Sequence, residues 1–552
     1  MSAELNFPIR HLSVRVPWHD SGWNGAVCAS PDDNSACLKL KGIAKSKDEI
    51  TEARHAGRHF GDLHTGSLPP CATERVAFMS PRGFVRSHEH PYRRDDSGPH
   101  GHFMPTPLNY PPYAAPAVPF RWMMKGFFEE LQEHCPLDEV SEEWEPTLNF
   151  RTIWWQDFRN HQALLRKFWA QVEEESSLVF FYAKQVPLVE EASGRRILVG
   201  VGRVKSIGSM TEYLYDGNTD GKLRSMLWER MLGHSIRPDF VDGFLLPYHE
   251  ALEKSQDGEA FDPAEVVAFT PEHRFTEFSY ATEHVSDDSA IEALQVMRAA
   301  LLKSAELFGA DIRRQEAWID KELGRLWQKR GPFPGLGAVL YACGVSMGNL
   351  VAQALSELSK EDESPWSVWF SLLESPSSHL PLELARRIDT TTSKAWRMMS
   401  DERRAFLELL SRVDLTAEQA KSLAVPEERR SLGVELEDAD FIRNPYLLYE
   451  TTRLSLTPVA ISAVDRGVFP ASSFREQFPI PEPTRVDTPI DARRLRALSI
   501  RELETAATQG DTLVPRERII EHLRRDEQAD DDQQTLVTAD LFRVAEIEHF
   551  PG

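Results

Sequence analysis

The chain has 552 residues, 41% hydrophobic and 10% aromatic, with 63 Lys and Arg against 86 Asp and Glu for a formal net charge of −23. At roughly 100–200 residues per domain this is several domains, and it is too apolar for a disordered chain. The acidic balance excludes a protein that coats nucleic acid non-specifically, because phosphate binding is mainly a cationic term. Any nucleic-acid site has to be local, built from backbone N–H groups or a few clustered arginines. No stretch approaches the ~18–20 apolar residues of a membrane helix, so no membrane contact is expected. The N-terminus, MSAELNFPIRHLSVRVPWHD, lacks an apolar signal core. Five cysteines fit a reducing cytoplasm better than a disulfide scaffold.

Residues 1–120 read as an irregular module of loops and short strands, rich in Cys, His and aromatics. Leu12, Val14 and Val16 alternate with other residues, which predicts a strand. Trp18, His19, Asp20 and Trp23 follow in a Gly-containing turn. The Trp pair is expected to anchor the loop, while His19 and Asp20 are able to serve acid–base or metal chemistry. The segment 81–119 holds too many prolines for a long helix. Cys28, Cys37 and Cys71, joined by one His, form the best ligand set for a structural zinc or iron–sulfur cluster. Their wide spacing, with no CxxC, equally fits buried thiols that bind nothing.

Residues 121–330 read as a mixed α/β domain. Residues 121–175 carry apolar groups at helical spacing, which predicts helix throughout. SLVFFYAKQVPLV and RRILVGVGRVKSIG then predict a β-hairpin closed by Glu190–Gly194. Gly200 and Gly202 lack the third glycine of a dinucleotide fingerprint, so they read as close packing or a bulge. A helix over 288–308 is expected, with Ser286 as its cap and Asp287 and Asp288 facing its dipole. A second helix ends in Lys and Arg before residue 331.

Residues 331–450 open with Pro334-Gly335-Leu336-Gly337 before an amphipathic run. Two glycines flanking an apolar residue suit a helix–hairpin–helix, whose exposed N–H groups at a helix start favour a phosphate. The domain ends on Asn444-Pro445-Tyr446. A Pro-rich connector over 451–490 leads to residues 491–552, which read as helix, turn, helix, broken at Gly510-Asp511-Thr512 with Pro515 opening the second helix. The strand-like TLVTADLFRVAEIEHF supplies a wing, and the acidic run Asp526–Asp532 reads as a solvated linker.

In this order the pieces Pro334–Gly337, Asn444–Tyr446, Arg493–Arg496 and Gly510–Pro515 resemble the N-terminal accessory region of RecD-like DNA helicases, over about residues 331–552. The resemblance implies a non-motor module that engages a single-strand/duplex junction, in DNA repair or anti-phage defence, beside a helicase motor or nuclease partner. It implies DNA contacts from Gly335, Leu336, Gly337, Arg493, Arg494, Arg496, Arg516 and Arg518. No G-x-x-x-x-G-K-[ST] occurs in the chain, so no ATPase activity of its own is expected and no cofactor is required. Residues 1–330 match nothing in that family. Two alternatives stand beside this reading. One is an adaptor that recruits a helicase or nuclease partner. The other is a metal-dependent nuclease in residues 1–330 using His19 or Asp20. The expected fold class is α+β, predominantly helical, with an irregular N-terminal module, a mixed α/β domain with a β-hairpin, a helical hairpin domain and a winged-helix-like C-terminal module.

Overall fold

The computed structural model describes residues 8–34, 37, 53–72, 74–93, 100–135, 141, 152–184, 186–189, 194–217, 223–256, 261–360, 363–376, 379–380, 382–470, 472–508, 510–524 and 538. It is a mixed α+β protein that divides into two compact units, Ile9–Leu326 and a second made of Met1–Pro8 with Trp327–Gly552.

The first unit is organised by one seven-stranded curled sheet. The alternating run at the N-terminus is β1 (His11–Arg15), with Leu12 and Val14 fully buried. β2 (Phe84–His88) and β3 (Thr106–Tyr110) form a separate antiparallel pair. β4 (Ala114–Ala117), β5 (Leu178–Ala183), β6 (Ile197–Ile207), β7 (Arg230–His234), β8 (Gly243–Leu245) and β9 (Thr282–Val285) complete the large sheet. Its order is β4-β7-β6-β5-β1-β9, with β8 also pairing with β6. β1 runs parallel to β5, and the remaining pairs are antiparallel. Every residue of β5 is buried, as expected of a central strand covered on both faces. Strands from residues 1–120 and from residues 121–330 share this sheet, so the two segments read separately from sequence build one unit.

The hairpin expected from the two β-rich runs is the β5–β6 pair; of its loop, 190–193 lie outside the described residues. At Gly200 an added Cβ would stand 2.6 Å from the Phe244 carbonyl oxygen, and at Gly202 2.6 Å from Ile236 Cγ1. Both glycines admit the chain that crosses β6, which is the close packing that the sequence suggests.

The helix expected throughout 121–175 is interrupted among the described residues, which exclude 136–140 and 142–151. Short 3-10 turns at Arg121–Met123 and Lys125–Phe127 lead into the α-helix Phe128–His134, and a second α-helix covers Phe158–Trp169. Asp157 starts the second by accepting from Arg159 N–H, and Trp154 is tied by a bridge to Met124 instead of continuing the helix. An apolar stripe is the same signal whether it faces a helix groove or a β-bridge, so spacing alone over-extends the helix. Asp287–Phe308 forms as expected, with Ser286 accepting from Ser289 N–H and Gly309 closing the helix at φ 72°.

The second unit is helical among the described residues. The run after Pro334 folds as Leu336–Ala342, a turn, and Gly348–Leu358. Asp401–Arg412 and Ala417–Ala424 pack with them around Val339, Leu340, Val351, Phe406 and Leu410. Asn444-Pro445-Tyr446 sits between Asp438–Arg443 and Leu447–Thr452. Ala492–Thr508 and Arg516–Arg524 are helices on either side of a break at Gly510, where the sequence predicts one. The expected wing and the acidic run lie outside the described residues, Thr538 excepted.

Candidate functional site

The chain leaves β1 through Pro17 into a tight loop that carries the chemistry of the first unit. Gly22 and Gly25 take φ of 89° and 79°, and a Cβ at Gly25 would lie 2.4 Å from Ser80 Cα. Only glycine fits that approach. Trp18 stacks on His249 at 4.5 Å, and Trp23 meets both rings edge-on at 5.1 and 5.2 Å. The Trp pair therefore anchors the loop, and His249 completes the clamp by hydrogen bonding through Nε2 to the His19 carbonyl at 2.6 Å.

This clamp fixes His19, which is fully buried. Its Nε2 lies 2.8 Å from the Ala26 carbonyl oxygen, and its Nδ1 accepts from Ser21 N–H at 3.1 Å and stands 3.8 Å from Asp20 Oδ1. Asp20 accepts from the Ala29 and Ser30 N–H groups at 3.0 and 2.7 Å. Cys28 Sγ accepts from Asn34 Nδ2 at 3.2 Å and lies 3.7 Å from Cys37 Sγ. One ligand atom from each of His19, Asp20 and Cys28 falls within 4.8 Å of the others.

The electrostatics follow from this packing. The Cys37 thiol, which donates to Cys28, together with His19 outweighs burial and draws the Cys28 thiol well below its ordinary range. Burial alone would lower the His19 pKa, but the neighbouring Cys28 sulfur, the Ala26 carbonyl and Asp20 raise it. Burial would raise the Asp20 pKa, yet the Ser30, Ser21 and Ala29 donors hold it down. A thiolate beside an imidazole is the charge state that a metal ligand or a reactive cysteine requires.

The donor set matches the sequence expectation in part. Cys28 and Cys37 meet, and the histidine that joins them is His19 with its neighbour Asp20. Cys71, expected as a third thiolate, lies in the turn Pro70–Ala72, and neither it nor Cys37 belongs to the close group of His19, Asp20 and Cys28; Cys37 adjoins that group through the Cys28 sulfur. A tetrahedral zinc with Zn–S bonds of about 2.3 Å places its sulfurs about 3.8 Å apart, close to the Cys28–Cys37 separation. His19 Nε2–H on a backbone carbonyl is the outer bond that orients an imidazole toward Nδ1, whose lone pair here accepts from Ser21 N–H, so a metal would have to displace that bond. Cys28 and Cys37 were both candidates in sequence, but Asn34, which holds the Cys28 sulfur, carries no recognisable signal.

In the second unit, the residues expected to contact DNA are distributed differently. Gly335 N–H donates to the Ser411 carbonyl at 2.8 Å, and a Cβ there would lie 2.1 Å from the Val413 carbonyl oxygen. A Cβ at Gly337 would lie 2.6 Å from Asn349 Cα. Leu336 is buried between them. The two glycines thus let helices approach closely, and the Gly335 N–H is consumed inside the fold. Arg493 donates to Asp491 and to the carbonyls of Arg443, Pro483 and Arg485. Arg494, 2% exposed, grips the Asp465 carboxylate through Nε and Nη2 at 2.7–3.1 Å, and Tyr446 donates its hydroxyl to the same carboxylate. Arg496 pairs with Glu450 at 3.1 Å. These three arginines tie the helix–turn–helix to the Asn-Pro-Tyr segment. Arg516 and Arg518 are less tightly held: their ion pairs with Glu517 and Asp511 span 3.6 and 3.7 Å, and their side chains are 33% and 51% exposed, with Arg516 Nε itself buried.

No family profile matches the chain, and no solved structure does. An uncharacterized protein of Methanocaldococcus jannaschii is 20% identical over 92% of this chain. The chain spans 38% of that protein's length. No described helix is long and apolar enough to cross a membrane.

Proposed function

We propose that about residues 331–552 are the non-motor DNA-binding accessory region of a RecD-like helicase system, acting at single-strand/duplex junctions. The observation that carries the reading is the order of the pieces along the chain: a close-packed helical hairpin at Pro334–Gly337, the Asn-Pro-Tyr segment at 444–446, and a helix–turn–helix broken at Gly510. Its family-like residues hold the module together, so the DNA donors in this reading are the less tightly held side chains of Arg516 and Arg518. Contacts this few imply weak, form-selective binding rather than general affinity. Equilibrium binding to forked, single-stranded and blunt duplex DNA tests it; preference for the fork supports the reading, and equal or absent binding to all three rejects it.

A second reading belongs to the first unit. The Cys28–Cys37 separation and the His19 carbonyl bond favour a structural zinc held by Cys28, Cys37, His19 and Asp20. An iron–sulfur cluster, which takes four thiolates in its ordinary form, fits this donor set less well. Zinc would fix the loop that follows β1. Metal analysis of the purified chain tests this: about one zinc per chain, lost in Cys28→Ser, is expected, and a metal-free wild-type chain rejects it.

A further inference from the structure

The four neighbouring strands β6, β5, β1 and β9 bring one set of ends together. Arg15 closes β1 opposite Tyr182 of β5, and Tyr182 is opposite Leu198 of β6. Continuing that register sets Lys184 beside Arg196. Residues directly opposite share a face, and so do residues two apart, so Arg15, Tyr182, Lys184 and Arg196 lie on one face at one end of the sheet. Arg75 lies behind them, 3% exposed, with Nε on the Pro116 carbonyl at 2.8 Å.

This group is short of negative charge. Glu74 pairs with it, 3.3 Å from Arg15 and 3.7 Å from Arg75, while Glu283, near Tyr182, is pushed by burial well above the ordinary carboxylate range, and Glu229 acts on Arg75. Arg196 and Lys184 make no ion pair among the described residues. Two buried polar atoms here have no hydrogen-bond partner: the Tyr182 hydroxyl, on a side chain with 0% exposure, and Arg196 Nε, on a side chain with 5%. The Arg196 guanidinium lies 3.5 Å over the Phe275 ring, which steadies it without neutralising it. Buried donors left unmade are costly and rare. The edge is also open: Phe275 is 54% exposed and Tyr280 50%. Tyr280 and Ala281, which lead into β9, hold φ of 48° and 79°. Left-handed backbone at two successive non-glycine residues is held only where surrounding structure imposes it.

We propose that this strand-end cluster of Arg15, Lys184 and Arg196, with the Tyr182 hydroxyl, binds a phosphate oxyanion. A tetrahedral phosphate carries several acceptors, enough for the Tyr182 O–H, the Arg196 Nε–H and the Lys184 ammonium together. Arginine forks suit this geometry in particular. Burial first, then Arg196 and Arg15, lowers the Lys184 amine to about 8, the environment that a bound anion would reverse. The phosphate is supplied either by the end of a nucleic-acid strand or by a small phosphorylated molecule. The site is independent of the DNA reading given for residues 331–552.

The test is calorimetric titration of the full chain with inorganic phosphate, with sodium chloride at equal ionic strength as the control. Wild type is expected to bind phosphate at one site. Lys184→Gln and Tyr182→Phe are each expected to weaken it by about tenfold. Tyr182→Phe removes an unpartnered hydroxyl, so the variant should melt no lower than wild type without phosphate, which separates lost binding from lost folding. No phosphate heat beyond the chloride control, or unchanged binding in both variants, overturns the proposal. Titration with 5′-phosphorylated and unphosphorylated single-stranded oligonucleotides then identifies the source. Tighter binding of the phosphorylated than of the unphosphorylated strand, with the difference abolished in Lys184→Gln, assigns the site to a strand end. Equal affinity for the two strands, with free phosphate still bound, assigns it to a small phosphorylated molecule.

Discussion

Acidification should unfold the first unit through its buried imidazoles well before its carboxylates titrate. His234 hydrogen bonds to the Phe78 carbonyl at 2.8 Å and accepts from Ile236 N–H, leaving no site for a second proton. His284 stacks on Phe168 at 4.1 Å, and His90 stacks between His100 and Phe103 at 4.6 and 4.1 Å. Burial pushes His234 and His284 to about 3, His90 to about 2 and His100 to about 4. All four are depressed below the unfolded value of 6.5, so their contribution is complete above that pH and is lost as the pH falls toward the folded values. At about pH 5 the unfolded histidine is protonated and the folded one is not, which costs about 2 kcal/mol for each group. His19, raised by its thiolate neighbour, works in the opposite direction and offsets part of the loss. Asp20, Glu212 and Asp242 are held below the ordinary carboxylate range, so their losses come at lower pH. Urea unfolding followed by tryptophan fluorescence, at about pH 8 and about pH 5, measures the difference. His234→Gln and His284→Gln should each remove about 2 kcal/mol of the pH-dependent loss, because glutamine takes up no proton. A wild-type chain as stable at the lower pH as at the higher, or a double variant that loses just as much, would refute the reasoning.

Three further outcomes follow from the packing. Asp465→Asn leaves Arg494 buried without its counter-charge and should cost about 3–5 kcal/mol in urea unfolding; a loss below about 1 kcal/mol would mean that the pair is solvated. Gly337→Ala pushes a methyl against Asn349 and should lower stability by about 1–3 kcal/mol, whereas Gly324→Ala, in the helix Arg313–Arg330 with nothing near its Cβ, should raise it by about 0.5–1 kcal/mol; equal effects in thermal melts would contradict the role given to Gly337. A zinc chelator should lower the melting temperature of wild type and leave Cys28→Ser unmoved, as expected when binding energy is folding energy.

The strands and the long helix were legible because their signals are local. Leu12 and Val14 alternate, the β5 and β6 runs are apolar and β-branched, and Ser286 with two aspartates marks a helix start. The helix over 121–175 failed where Asp157 and the Met124–Trp154 bridge interrupt an apolar stripe that looks continuous in one dimension. Of the candidate metal-binding group, Cys28 and His19 were visible, but their partnership was not, because it depends on Trp18 and Trp23 closing around His249 from 230 residues away along the chain. Gly335 and Gly337 read in sequence as a tight turn with exposed N–H groups, whereas the structure uses them for close helix packing. That a carbonyl and Asn349, rather than open solvent, fill the space beside them is a tertiary fact. Arg494 shows the same limit: an arginine in an Arg-rich helix reads alike whether it faces a phosphate or a buried Asp465. The strand-end cluster had no linear signature, since β-sheet register alone unites Arg15, Tyr182, Lys184 and Arg196.

The most direct test of the central proposal is the salt dependence of forked-DNA binding by the full chain, wild type against the Arg516→Ala/Arg518→Ala double variant. The reading predicts fork binding with a shallow slope of log K on log salt, reduced by about one for each arginine removed, with folding intact. No fork binding at low salt, or a slope unchanged in the double variant, would contradict it.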